Sequence, residues 1–319
     1  MNDLSNSSRP GRSCPLHYGY PPSVFARQAD LQADTLYVVG GLYGNRSALE
    51  TLLGMLTEER GSTAVIFNGD FNWFNSDDAG FEALNSAVLS HHALRGNVET
   101  ELATDDASAG CGCGYPESVP DDDVARSNQI LEQLRSTARR FPALRRRLGD
   151  LPMHAVARVG ERRIGIVHGD AESLAGWRFD VSAFDDSGHA SWLDAVFSSA
   201  RVDGFASSHT CLPALRRFSV ERGKRWVINN GAAGMPNFRD TRFGVLTRIS
   251  VHASAAHPSL YGLRENGVYV DALAIRYDHA RWSREFLANW PAQSPAYSSY
   301  YQRIVNGPSH DVERARPVN

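Results

Sequence analysis

The stretch Ala64-Val65-Ile66-Phe67-Asn68-Gly69-Asp70 constrains this chain more than any other: an apolar, β-prone run that ends in a glycine and a carboxylate. A strand that is apolar at successive positions suits burial on both faces, as in a parallel sheet, and the carboxyl ends of such strands are where open α/β sheets bind ligands. Asp70 is therefore the first candidate metal ligand. Upstream, Leu36-Tyr37-Val38-Val39 reads as a strand and Gly40 to Gly44 as a turn. Asn45 then reads as the N-cap of a helix that carries Leu49, Leu52, Leu53 and Leu56 at helical spacing and closes near Gly61. Strand, helix and strand in this order form a βαβ unit, so the sheet is at least partly parallel.

Composition narrows the function classes. With 319 residues, 42% hydrophobic and a formal net charge of -3, the chain can bury a sizeable core. Its near-neutral balance gives no general reason to expect nucleic acid or an anionic membrane as a partner. No run approaches the roughly 20 apolar residues of a membrane span, and Met1 to Pro10 are polar rather than signal-like. The expectation is a cytoplasmic protein with no membrane partner and an open oligomeric state. Cys14, Cys111, Cys113 and Cys211 are then expected to be reduced thiols, and a Cys111–Cys113 disulfide is geometrically awkward.

The rest of the chain divides into residues 1–33, an extended N-terminal arm rich in Ser, Pro, Arg and Gly; residues 34–290, one domain with an acidic, glycine-containing insertion at 100–123; and residues 291–319, a C-terminal tail. Within the domain, helices are expected near Phe81–Leu89 and Val124–Arg140, the latter broken or bent at Pro142. Arg135, Arg139, Arg140, Arg145, Arg146 and Arg147 read as a solvated basic face beside the acidic insertion. A hairpin turns at Gly160-Glu161, a second at Asn266-Gly267, and Trp282, Phe286 and Trp290 line a last helix.

Four strands end in metal-capable residues: Asp70, Asn97, His168 and His209. Strand carboxyl ends converge on one rim of a sheet, and a carboxylate, an amide oxygen and two imidazoles suit a divalent ion such as Mn, Fe or Zn. In order along the chain, Gly40-Gly41-Leu42-Tyr43-Gly44-Asn45, Gly69-Asp70, Gly96-Asn97-Val98-Glu99, His168-Gly169 and Ser208-His209-Thr210-Cys211 resemble the blocks of the calcineurin-like metallophosphoesterase family. Asn229-Asn230-Gly231 and the residues after it are similar to a sixth. The resemblance spans roughly Thr35 to Trp290. It implies an α/β fold, specifically a four-layer α/β/β/α sandwich, with the site on the strand-end rim.

The resemblance also implies two metal positions, and the departures from it fall on one. The residues matching the second metal's ligands are Asp70, Asn97, His168 and His209, a complete set. Those matching the first are Gly41, Tyr43, Asp70 and Cys211, of which only the shared carboxylate is kept. Val98 stands where the family has a histidine that protonates the leaving group, and loss of such an acid costs about 10²- to 10⁴-fold in rate. The implied function is a metal-dependent phosphoesterase acting on a phosphate monoester or diester, with a small phosphoester or a nucleotide as partner. It holds one ion, with a second ion on Tyr43 and Cys211 an open alternative. The competing reading is a pseudoenzyme that binds metal and phosphate or nucleotide without turnover. Two roles stay open for the insertion's cysteines, a glycine-rich lid with incidental thiols or a zinc set with Cys14 and His17.

Overall fold

The computed structural model describes residues 9–186 and 188–317. Its strands, in chain order, are β1 Leu31–Ala33, β2 Thr35–Val39, β3 Thr63–Asn68, β4 His92–Leu94, β5 His154–Val159, β6 Arg162–Val167, β7 Gly204–Ser207, β8 Ala214–Val220, β9 Gly223–Asn229, β10 Gly244–Ser250, β11 Ser259–Glu265 and β12 Val268–Ile275. The helices are α1 Arg46–Thr57, α2 Asp78–Val88, α3 Asn97–Ala103, α4 Asp121–Ala138, α5 Pro142–Gly149, α6 His189–Ala200, α7 His279–Asn289, α8 Pro295–Asn306 and α9 Val312–Ala315.

The strands form two six-stranded sheets, ordered β11-β12-β10-β2-β3-β4 and β1-β5-β6-β7-β9-β8. The βαβ expectation holds: β2 and β3 pair in parallel, Leu36 opposite Ala64, and the Asn45 side chain caps α1 by accepting from Ala48 N at 3.0 Å. The apolar runs of β2 and β3 are continuous because each strand is covered on both faces. Tyr37, Val39, Val65 and Phe67 pack toward the helices, while Leu36, Val38 and Ile66 join Ile164, Ile166 and Ile228 of the other sheet in one buried cluster. Burying each such side chain contributes about 1.5–3 kcal/mol. The two predicted hairpins are β5–β6 and β11–β12, the second turning through left-handed Asn266 and Gly267.

Three expectations are corrected. Arg135 is not part of a solvated face: it is buried and pairs with the buried Glu101 at 3.0 Å, because α4 packs this side chain against α3 and the 104–106 loop, where its Nε donates to the Glu101 carbonyl and its Nη2 to that of Asp106. Cys111 and Cys113 are paired as a disulfide rather than free thiols; Gly112 between them takes φ +66, which lets the chain double back. Cys14 is exposed with its sulfur 3.2 Å from Ser173 Oγ, and among the described residues the group able to hold a metal is Asp70, His168 and His209, without Cys14, His17, Cys111 or Cys113. Helix α7 is not the last: Ser294 caps α8, Pro295 occupies its first turn, and Ala296 and Ile304 are buried on its inner face. Among the described residues no helix is long and apolar enough to cross a membrane.

Candidate metal centre

Each sheet delivers two of the four donors. Asp70 and Asn97 follow parallel β3 and β4 of one sheet, and His168 and His209 follow parallel β6 and β7 of the other. The connection after β3 is tight: Asp70 sits at φ +53, an uncommon conformation for a residue with a side chain. Its carboxylate reaches the next strand's loop only because residue 96 is glycine, since a Cβ there would lie 2.2 Å from Asp70 Oδ1.

His168 Nε2 is the centre of the cluster. It lies 3.2 Å from Asp70 Oδ2, 3.1 Å from Asn97 Oδ1 and 3.1 Å from His209 Nδ1. These spacings are the edges expected between donors on a shared ion with bonds of roughly 2.0–2.2 Å. The far side of both imidazoles and of the amide is fixed by a backbone carbonyl, while Asp70 Oδ1 accepts from Val98 N at 3.1 Å. His168 Nδ1 lies 2.8 Å from the Asn68 carbonyl oxygen and His209 Nε2 lies 2.8 Å from that of Cys113. A carbonyl can only accept, so those nitrogens carry the hydrogens and the lone pairs of Nε2 and Nδ1 face one another. Asn97 Nδ2 donates to the Cys111 carbonyl at 2.9 Å, which turns its Oδ1 inward.

Two facing lone pairs beside a carboxylate repel unless a positive charge lies among them. The titration behaviour points the same way. Burial alone would lower the pKa of His168, but the Asp70 carboxylate outweighs it and raises the value; burial would raise Asp70, and His168 outweighs that in turn. Burial, with His168 beside it, pushes His209 down to about 4, so its imidazole is neutral at pH 7 and available as a ligand. Asp70, His168 and His209 thus form a buried group whose donor chemistry fits a divalent cation.

Glu99 supports this group and was not singled out among the site residues by sequence. It is fully buried, and its Oε2 accepts from Asp70 N at 2.7 Å and Gly96 N at 3.0 Å, while Oε1 accepts from Asn72 N at 3.2 Å. One carboxylate therefore ties the turn after β3 to the first turn of α3. Burial and then the nearby Asp70 charge raise its pKa to about 7. A carboxylate two residues after Asn97, at a helix start, was the available signal.

Tyr43, Cys211 and Asp70 line one cavity, but the polar atoms of Tyr43 and Cys211 are not turned outward as free donors. Tyr43 Oη and Cys211 Sγ lie 2.7 Å apart and bond one another, and Cys211 Sγ also donates to the His209 carbonyl at 3.2 Å. Burial raises the pKa of both groups, so both stay protonated. The Tyr43 ring lies against Gly41: a Cβ on residue 41 would stand 2.3 Å from Tyr43 Cε1. The insertion is likewise no detached lid, since the carbonyls of Cys111 and Cys113 orient Asn97 and His209, and Trp177 Nε1 donates to the Cys113 carbonyl at 3.0 Å.

No protein-family model matches the chain, and no curated protein matches it. Solved structures do. A metallophosphoesterase from Sphaerobacter thermophilus is similar with a TM-score of 0.54 at 16% identity, over 86% of this chain and 100% of that one. A hypothetical protein from Pyrococcus horikoshii OT3 is similar with a TM-score of 0.53 at 17% identity, over 87% of this chain and 99% of that one. The chain shares the fold of these two structures.

In this fold the donor group opens into a cavity of about 170 Å³, walled by Trp73, Tyr115, Trp177 and Tyr300. That is below the roughly 300–1,000 Å³ of pockets for drug-sized ligands. Tyr300 and Arg303 of α8 also line it. Sequence reasoning missed both because it treated the segment beyond Trp290 as a tail. Tyr297, Tyr300, Tyr301 and Ile304, at helical spacing after Ser294-Pro295, were the signal.

Proposed function

We propose that this protein is a metal-dependent phosphoesterase that holds one divalent ion, Mn, Fe or Zn, on Asp70, Asn97, His168 and His209 and hydrolyses a phosphate monoester or diester of a small molecule or nucleotide. The observation that carries the reading is the convergence of four donor atoms from two sheets, with the outer face of both imidazoles and the amide pinned by carbonyls. When bound, such an ion polarises a phosphoryl oxygen and lowers the pKa of a water. The chain's own residues do the rest. Asp70 balances the charge, the Asn68 and Cys113 carbonyls hold the histidine tautomers, Glu99 fixes the Asp70 turn, and the aromatic walls limit access of bulk water. Val98 cannot transfer a proton, so the leaving group departs without a positioned acid, which favours esters whose leaving group needs none. The four-layer α/β/β/α arrangement belongs to this reading, supported by the apolar cluster shared between the sheets and the helices packed outside them.

A second reading, a metal- and phosphate-binding protein without turnover, is favoured by one observation: Tyr43 and Cys211 satisfy each other where the resemblance places the first metal's ligands. Both readings are tested by elemental analysis of protein purified without added metal, followed by hydrolysis of p-nitrophenyl phosphate and bis-p-nitrophenyl phosphate across Mn, Fe, Zn, Ni and Mg. The expected result is about one ion per chain and slow turnover of at least one ester. One ion with no turnover under any metal selects the second reading, and absence of metal sinks both.

A further inference from the structure

A phosphoryl group seated over Asp70 places negative charge in both halves of the cavity, and in the other half the Tyr43 hydroxyl and the Cys211 thiol are spent on each other. Arg303 lies in that half. Among the described residues lining the cavity it alone carries a permanent positive charge. Its Nη2 donates to the Cys211 carbonyl at 2.8 Å and its Nε to the Pro236 carbonyl at 3.4 Å. Two backbone acceptors thus fix the plane of the guanidinium. Among the described residues, no carboxylate pairs with it and Nη1 has no hydrogen-bond partner.

Many other arginines of this protein are spent on carboxylates, among them Arg135 on Glu101, Arg248 on Glu59 and Arg145 on Asp105. An arginine held by carbonyls, which accept hydrogen bonds without cancelling charge, keeps its full charge for a ligand. Its planar donor fork matches phosphate oxygens, and it needs no deprotonated partner to stay in place. In two-metal phosphoesterases the second ion neutralises the oxygens on the far side of the phosphorus. Here the coordination chemistry for that ion is replaced, and a cation from α8 stands beside the replacement.

We propose that Arg303 is a catalytic residue that binds the phosphoryl oxygens of the substrate, supplying in the Tyr43–Cys211 half the charge that a second ion would supply, so that the site is a clamp of one metal and one arginine. The inference rests on the phosphoesterase reading above, and its test separates the two. Inorganic phosphate binding to metal-loaded protein is measured by titration calorimetry for the wild type, Arg303→Met and Arg303→Lys, with metal content and thermal melting followed in parallel. The expected result is unchanged metal content in all three, phosphate affinity at least about tenfold weaker in Arg303→Met, and an intermediate value in Arg303→Lys, which keeps the charge and loses the fork. Turnover of bis-p-nitrophenyl phosphate is expected to fall by about 10²- to 10³-fold in Arg303→Met, the usual cost of removing one transition-state donor. Equal phosphate affinity in the wild type and both variants overturns the role of Arg303 and leaves the metal reading intact. Wild-type protein without metal overturns the reading beneath it. Should Arg303→Met fail to fold, the Arg303→Lys comparison decides alone: affinity and turnover equal to wild type reject the fork-specific contact.

Discussion

On one side of Asp70, the side chains of Asn97, His168 and His209 turn unshared donor atoms toward a common point, each held from behind by a carbonyl; on the other, Tyr43 and Cys211 spend their polar atoms on each other at 2.7 Å. The two groups lie along one cavity on either side of Asp70. They differ in what the folded chain leaves unsatisfied. In the first half the lone pairs have no protein donor, so the fold carries an electrostatic debt that only a cation or a proton settles. In the second half the hydroxyl and thiol remain neutral, and the Tyr43 ring fills the space beside Gly41 as part of the helix-side core. A ligand site and a packing site can thus be told apart by where their polar atoms go, even when both sit on the same strand ends.

The largest test of that contrast is His168→Ala. It removes the donor that touches all three others, and metal content is expected to fall from about one ion per chain to none, with phosphoesterase turnover falling with it. Cys211→Ala is the matching change in the other half and is expected to leave metal content unchanged. Metal retained in His168→Ala, or lost in Cys211→Ala, reverses the assignment of the two halves.

A smaller effect concerns the metal-free protein, where two buried groups titrate in opposite senses. Glu99 has a native pKa of about 7 against an ordinary 4.5, so between those values the folded state binds more protons than the unfolded state and stability falls as pH rises. His209 has a native pKa of about 4 against an ordinary 6.5, so the unfolded state binds more protons across that window and stability is lost as pH falls. Each is worth on the order of 3 kcal/mol, and they oppose one another. Glu99→Gln is therefore expected to steepen the rise of melting temperature from pH 4.5 to 6.5 in chelator-treated protein. His209→Gln is expected to give a fall over the same range. Parallel melting curves for wild type and both variants across that range remove the electrostatic account of the first half-site.

The contrast between the halves also explains which parts of the structure were legible in the sequence. Strand ends carrying Asp70, Asn97, His168 and His209 could be read because β-prone runs and small turn residues are local signals, and strand ends in a parallel sheet must share a rim. The continuity of the Leu36–Val39 and Val65–Phe67 runs announced burial on both faces. What could not be read was supplied through backbone atoms or from afar. The Cys111 and Cys113 carbonyls orient Asn97 and His209, and a carbonyl leaves no trace in residue type. Arg135 looked like one more surface arginine until Glu101 met it in the interior. Arg303 lay beyond the last aromatic helix expected, and only the register of α8 against the cavity gives it a place.

The packing of the second half can be probed through Gly41. A methyl group there would stand 2.3 Å from Tyr43 Cε1 and 2.5 Å from Cζ, and overpacking of this kind costs about 1–3 kcal/mol. Gly41→Ala is expected to lower stability by that amount in chemical denaturation. In a Tyr43→Ala background, which itself destabilises by leaving a cavity, the added methyl is expected to cost nearly nothing, giving a coupling energy close to the full single-mutant effect. Additive costs would place the strain elsewhere than the ring.

The smallest effect separates shape from hydrogen bonding. Tyr43→Phe keeps the ring over Gly41 and removes only the hydroxyl that meets Cys211. Cys211 Sγ retains its bond to the His209 carbonyl at 3.2 Å, so the loss is one hydrogen bond without a stranded charge. The expected cost is about 1 kcal/mol, with metal content unchanged. The outcome discriminates because a phenolate ligand and a packing tyrosine respond differently: removing a ligand changes metal stoichiometry and spectra, whereas removing a packing hydroxyl moves only the denaturation midpoint. A Tyr43→Phe protein that loses an ion at near-normal stability would show the second half to be a metal site of unusual chemistry. A modest stability loss at constant metal content leaves it as the wall against which a one-ion site is built.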